Sequence, residues 1–178
     1  MSADQTETRS GPTVHSVPTS TGRLAVYEHA ARQPGAPTAL LWHSMFADSS
    51  AWAELLPALT AHRRLLVIDG PGYGASAPLR HRSSIAESAL VAEEVLGHLG
   101  VSQVDWLGNG WGGHAGLHLA ATRPERVRSL VAISAPVSAL TGRSAPRFAF
   151  AVLVLVLLCG LAAARHWFHR SRTPARAG

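Results

Sequence analysis

The sequence predicts an α/β fold with a mostly parallel sheet and flanking helices. Short apolar runs, typical of buried strands, alternate with amphipathic segments of helical length. Glycine-rich turns separate several of these segments. Strands that alternate with helices indicate right-handed crossover units and therefore a mostly parallel sheet. With 178 residues, 47% of them hydrophobic and 15% charged, the chain is sufficient for one domain with a packed core.

The first half is expected to contain a hairpin, two buried strands and a helix. Residues 1–12 are polar and are predicted to be a disordered lead. A turn-prone segment, Pro18–Gly22, separates the hairpin strands, and the two later strands are continuous apolar runs. In chain order the elements are strands Thr13–Val17, Leu24–Glu28 and Thr38–Trp42, a helix over Ser50–His62, and strand Arg64–Asp69.

The second half repeats the alternation of helices and strands. Its first helix is amphipathic and is followed by Gly100, and its second helix opens from a glycine-rich turn and ends before Pro124. The predicted elements are a helix over Ile85–Leu99, strand Val104–Leu107, a turn over Gly108–Gly113, a helix from there to about Thr122, and strand Arg126–Ser134.

Three motifs stand at the ends of predicted strands. They are His43-Ser-Met-Phe46, Asp69-Gly-Pro-Gly-Tyr-Gly-Ala-Ser76 and Gly108-Asn-Gly-Trp-Gly-Gly113. In this order they resemble the oxyanion loop, the following strand-end turn and the nucleophile elbow of the α/β-hydrolase family, over about Val14 to Pro136. Ser44 stands where that family usually has Gly. The resemblance implies an α/β-hydrolase-like domain over residues 13–140, which is expected to be truncated because the family's last strands would be missing.

The position that carries the nucleophile in this family is Gly110, which has no hydroxyl, thiol or carboxylate. Asn109 before it is an amide. Trp111 after it offers a backbone N–H, which with that of Met45 would form an oxyanion-binding pair. The remaining motif residues, expected to shape the site, are His43, Ser44, Asp69, Gly108, Gly112 and Gly113.

The acid and histidine of the family's triad are also missing from the expected places. No acidic residue follows Glu125, and the late histidines His166 and His169 lie in a basic tail. Ser44 is a candidate replacement nucleophile but is not expected to act as one, because nothing nearby in the sequence identifies its base. Asp69 is expected to brace its turn. The sequence therefore predicts no competent catalytic residue.

No cofactor or metal is expected. The chain has no P-loop, no dinucleotide fingerprint and no zinc cluster, and the pair His114 and His118 lacks a third ligand. The formal charge of +5 arises from Arg alone and is concentrated towards the end of the chain. Because no nucleic-acid motif accompanies these charges, nucleic acid is not expected as a partner.

An apolar run, Phe148–Ala164, carries no charge and is followed by a basic tail over residues 165–178. This run predicts a helix that either crosses a membrane or caps the cleft. The N-terminus lacks the features of a signal peptide, so a cytoplasmic or membrane-associated location is expected.

Three functions remain open from the sequence. The first is a catalytically impaired family member that binds a small molecule, or a protein at an exposed sheet edge. The second is an atypical hydrolase of small ester, amide or halide substrates. The third is a membrane-associated scaffold.

Overall fold

The computed structural model describes residues 11–79 and 82–136. These residues form a six-stranded sheet in the order β1-β2-β4-β3-β5-β6. The β1–β2 and β2–β4 pairs are antiparallel and the other three pairs are parallel, so the sheet is mixed. The strands are β1 (Thr13–Thr19), β2 (Gly22–His29), β3 (Thr38–Trp42), β4 (Arg64–Ile68), β5 (Val104–Asn109) and β6 (Val127–Ile133). The predicted α/β class and the N-terminal hairpin are confirmed.

Within the described residues, two longer helices and three short helical segments connect the strands. The longer helices are α2 (Ile85–His98) and α3 (Trp111–Thr122); the short segments are a 3₁₀ turn at Ser49–Trp52, α1 (Leu56–Leu59) and a 3₁₀ turn at Pro124–Arg126. Helix α2 begins with a capping box in which Ser84 and Glu87 bond each other's backbone N–H groups. Both longer helices begin and end close to their predicted positions.

The single helix predicted over Ser50–His62 is wrong. The chain forms the 3₁₀ turn and the four-residue α1 instead, and Asp48 rather than a serine caps the turn by accepting from the N–H of Ser50 at 2.9 Å. Pro57 explains the break, because proline has no N–H to donate within a helix and is tolerated only in its first turn.

The sheet separates two apolar clusters. On one face Trp42 and Trp106 stack with ring centroids 5.9 Å apart, and residues of α2 and α3 pack against them. On the other face Leu41, Leu65 and Trp52 form a smaller cluster. Strands β3 and β4 contribute to both clusters, as their continuous apolar runs predicted.

Several predictions fall outside the described residues. These are the apolar run Phe148–Ala164, the tail 165–178 and most of the lead 1–12. Within 11–79 and 82–136, none of the helices combines the length and apolarity needed to span a membrane. Strand β6 is an outer strand of the described sheet, where Val131 and Ile133 are 54% and 41% exposed; a protein partner at this edge stays a prediction.

Candidate functional site

A cleft of about 380 Å³ lies where β3 and β4 end and α3 begins. Ligands bind beyond the carboxyl ends of the strands in open α/β sheets, so its place in the fold suits a functional site. Residues of all three motifs contribute, together with the segment that leads into α2. The lining residues are Trp42, His43, Ser44, Met45, Gly70, Pro71, Tyr73, Leu79, Arg82, Ser83, Ser88 and Trp111.

Gly110 forms the sharp turn between β5 and α3. Its φ of 50° and ψ of −110° belong to a region that residues with a Cβ rarely adopt. The turn is fixed on both sides, because the Gly110 N–H donates to the carbonyl of Ile133 at 2.8 Å and its carbonyl accepts from His114 N at 3.0 Å. The strained turn of a nucleophile elbow is therefore present without a reactive side chain.

Ser44 fills the space beside this turn. A Cβ placed on Gly110 would lie 2.9 Å from the Cβ of Ser44 and 3.7 Å from its Cα. The Ser44 hydroxyl donates to the carbonyl of Met45 at 3.1 Å, so its proton is directed to the backbone of its own loop.

His43 is buried, with 2% of its surface exposed, and both ring nitrogens are engaged. Nδ1 lies 2.7 Å from the Ser44 carbonyl oxygen, which can only accept, so Nδ1 carries the proton. Nε2 accepts from the backbone N–H of Gly70 at 2.8 Å. His43 thus joins the loop after β3 to the turn after β4, and no nitrogen is left to take a proton from a nucleophile.

Asp69 is buried and its carboxylate accepts three hydrogen bonds. The donors are Ser49 N at 2.8 Å, Ala75 N at 2.9 Å and the hydroxyl of Tyr27 at 3.1 Å. Burial raises the pKa of Tyr27, and the nearby charge of Asp69 and their hydrogen bond raise it further. Asp69 joins β2, the 3₁₀ turn and the strand-end turn, and it does not line the cleft.

The candidate oxyanion pair, Met45 and Trp111, is brought to one cleft by the fold. Within residues 11–79 and 82–136, neither backbone N–H donates to another group. The two segments are held together because Gly112 N donates to the carbonyl of His43 at 3.2 Å. No described residue accepts from either N–H group, so their role as an oxyanion-binding pair stays a prediction.

The other residues considered in these motifs are not among the described residues that line the cleft. Gly108 and Gly112 lie where α3 approaches β5 and β3 too closely for a Cβ, and a Cβ on Gly113 would lie 2.7 Å from that of Ala135, after β6. Asn109 ends β5 and is not among the residues that line the cleft. Among the described residues no group of three potential metal ligands occurs, at His114 and His118 or elsewhere.

The sequence did not predict the role of the Trp111 side chain, nor that Tyr73 and Arg82 line the cleft. The sequence predicted a role only for the backbone N–H of Trp111. In the structure its indole N–H also donates a hydrogen bond to the hydroxyl of Ser88 at 2.9 Å. Tyr73 lies within a motif that was interpreted as a turn, and its ring contacts that of His43 edge to face at 5.1 Å. Arg82 lies just before α2, where no motif marks it.

Comparison with known proteins finds a family model and relatives that match the α/β fold described above. Residues 37–166 match the family model described as the alpha/beta hydrolase fold. A 2-hydroxy-6-oxononadienedioate/2-hydroxy-6-oxononatrienedioate hydrolase of Cupriavidus pinatubonensis is 34% identical over 102 residues, which are 54% of this chain and 35% of that protein. A pimeloyl-(acyl-carrier protein) methyl ester esterase of Vibrio vulnificus is 32% identical over 121 residues, or 68% of this chain and 42% of the esterase.

Solved structures show the same likeness. The crystal structure of a hydrolase from Pseudomonas aeruginosa superposes with a TM-score of 0.61 at 31% identity, covering 65% of this chain and 43% of that one. This chain thus spans less than half the length of the relatives named here. Since the family model matches most of the chain, the chain belongs to the α/β-hydrolase fold family.

Proposed function

We propose that this chain binds a small carbonyl compound in the cleft and does not hydrolyse it with its own residues. The observation that carries the proposal is Gly110, which occupies the nucleophile position of an otherwise formed elbow. A glycine supplies no atom that can attack a carbonyl carbon.

The surrounding residues support binding rather than reaction. The Ser44 hydroxyl donates to a backbone carbonyl, and His43 uses both nitrogens for structure. The N–H groups of Met45 and Trp111 keep the capacity to bind a carbonyl oxygen, since no described group accepts from them. A site with these donors and no nucleophile retains the family's recognition of a carbonyl without its covalent step.

The cleft also favours a neutral or anionic ligand over a cation. No carboxylate side chain is among the described residues that line it, while Arg82 contributes a guanidinium group. A volume of about 380 Å³ is suited to a small molecule.

Binding is tested by NMR titration of the isotope-labelled full chain with phenylacetamide, an amide that resists hydrolysis. We expect saturable shifts of the Met45 and Trp111 amide signals, with the signal of Gly97, in α2, unchanged. Absence of any saturable shift contradicts binding.

Catalysis is tested separately with p-nitrophenyl acetate. We expect no turnover above that of buffer for the native chain, and none for Gly110→Ser. Saturable turnover by the native chain contradicts the non-catalytic part of the proposal.

The second candidate is an atypical hydrolase of small esters, amides or halides with Ser44 as a displaced nucleophile. Two observations favour it: Ser44 lines the cleft, and relatives include an esterase and a hydrolase. This function predicts that Ser44→Ala abolishes turnover while Ser83→Ala, a matched change at another lining serine, leaves it intact. Equal turnover by both variants excludes Ser44.

A further inference from the structure

We propose that the cleft selects ligands with a planar aromatic ring, that Trp111 sets this selectivity, and that Ser88 positions Trp111. The inference rests on the proposed function, since it assigns the ligand class of the same cleft. Trp111 directly follows Gly110, so its indole is attached to one of the two backbone groups proposed to hold the carbonyl.

The hydrogen bond to Ser88 fixes the indole in one orientation. Trp111 Nε1 donates to Ser88 Oγ at 2.9 Å, and Ser88 is fully buried. The Ser88 hydroxyl donates its single proton to the carbonyl of Ser84 at 3.1 Å. The oxygen therefore presents a lone pair to the indole, and the acceptor is itself held by the N-cap residue of α2.

This arrangement leaves the apolar part of the indole for a ligand. Because its only polar atom is satisfied by Ser88, the half-buried ring needs no hydrogen bond from a bound molecule. If the ring turned away, the buried Ser88 oxygen would lose the donor that Trp111 supplies, which is costly.

A second oriented ring lines the same cleft. The Tyr73 ring packs edge to face on His43, with centroids 5.1 Å apart and planes at 67°. His43 is itself fixed by its two hydrogen bonds, so Tyr73 rests on a rigid neighbour. Oriented aromatic side chains favour a planar ring, which can make offset or edge contacts, over a puckered one of the same size.

The test compares phenylacetamide with cyclohexylacetamide, which share the carbonyl and the carbon skeleton but differ in planarity. Dissociation constants are measured by NMR titration for the native full chain and four variants: Trp111→Leu, Trp111→Phe, Ser88→Ala and the double variant Ser88→Ala/Trp111→Phe. Trp52→Phe, in the cluster on the opposite face of the sheet, is the control.

We expect the native chain to bind the aromatic amide roughly threefold to tenfold more tightly than the cyclohexyl amide. Trp111→Leu should abolish this ratio. Trp111→Phe should keep part of it, because a ring remains that Ser88 cannot orient, and Trp52→Phe should retain it in full. Ser88→Ala should reduce the ratio in the native background and have no further effect beside Trp111→Phe, where no indole N–H remains to be positioned.

The possible failures are distinguishable. If neither amide binds, the proposed function itself is wrong. If both bind with equal affinity, or if Trp111→Leu retains the ratio, aromatic selection by Trp111 is overturned while carbonyl binding stands. If Ser88→Ala lowers thermal stability without changing the ratio, Ser88 has a structural role only and its positioning role is overturned.

Discussion

The Cβ of Ser44 lies 2.9 Å from the point at which a Cβ on Gly110 would stand. Residues 44 and 110 therefore compete for one side-chain position at the elbow. In the α/β-hydrolase pattern that this chain resembles, position 44 is usually glycine and position 110 carries the nucleophile. In this chain, position 44 is Ser and position 110 is Gly. We therefore expect the effects of substitutions at positions 44 and 110 on stability to be coupled.

This coupling predicts that Gly110→Ser alone is strongly destabilising. The new Cβ meets Ser44, and a φ of 50° with a ψ of −110° is unfavourable for serine, so we expect a loss of roughly 2 to 4 kcal/mol in the free energy of unfolding. Adding Ser44→Gly should recover about 1 kcal/mol or more beyond additivity, measured by a double-mutant cycle in urea. Strict additivity would show that the two positions are independent.

Because α3 lies close to β3, a substitution of Gly112 is also predicted to lower the free energy of unfolding. A Cβ on Gly112 would run into the carbonyl of Trp42, and the helix would have to move away from the strand. We expect Gly112→Ala to cost about 3 kcal/mol or more in urea unfolding, and to weaken amide binding because Gly112 N holds the His43 carbonyl.

The matched control for this change is Gly97→Ala in α2, where an added Cβ would meet nothing within 4 Å. Alanine is the better helix former, so this variant should gain up to about 1 kcal/mol. Equal effects of the two substitutions would contradict the close approach at Gly112.

Continuous apolar runs made β3 and β4 predictable from the sequence almost to the residue, since strands buried on both faces need an apolar side chain at nearly every position. The helix over Ser50–His62 was mispredicted because apolar spacing outweighed the signal of Pro57. The elbow was predictable because its glycines are adjacent in sequence. The bond from Trp111 to Ser88 was not, since the two residues lie 23 positions apart and no local pattern joins them.

Asp69 is predicted to stabilise the loops below the cleft through its three donors. In Asp69→Asn one carboxylate oxygen becomes an NH₂ group, which cannot accept from the N–H of Ser49 or of Ala75 and so leaves a buried donor unpaired. We expect a loss of roughly 2 to 3 kcal/mol in urea unfolding. Tyr27→Phe removes the third donor only and should cost about 1 kcal/mol; a larger loss for Tyr27→Phe than for Asp69→Asn would contradict this assignment.

The stability of the protein is predicted to depend on pH because of the carboxyl group of Asp105, near the start of β5. Burial raises the pKa of its carboxyl, but hydrogen bonds from Arg128, Ser129 and Arg63 outweigh this and lower the pKa from 3.8 to about 2. Because the folded pKa is depressed, the stabilisation is fully present above about pH 4 and is lost as the pH falls towards 2. Both arginines are partly exposed, so solvent screening limits the contribution to roughly 1 to 2 kcal/mol.

The variant Asp105→Asn should therefore be less stable than the native chain at about pH 5, and the difference should shrink at about pH 2.5. Urea unfolding at both pH values measures this, with the exposed Glu54→Gln as a charge-matched control that shows no such convergence. Added salt should also reduce the difference at pH 5, because it screens the two guanidinium groups from the carboxylate. A native-to-variant difference that is the same at both pH values would mean that the carboxylate charge contributes nothing and that only the packing of residue 105 matters.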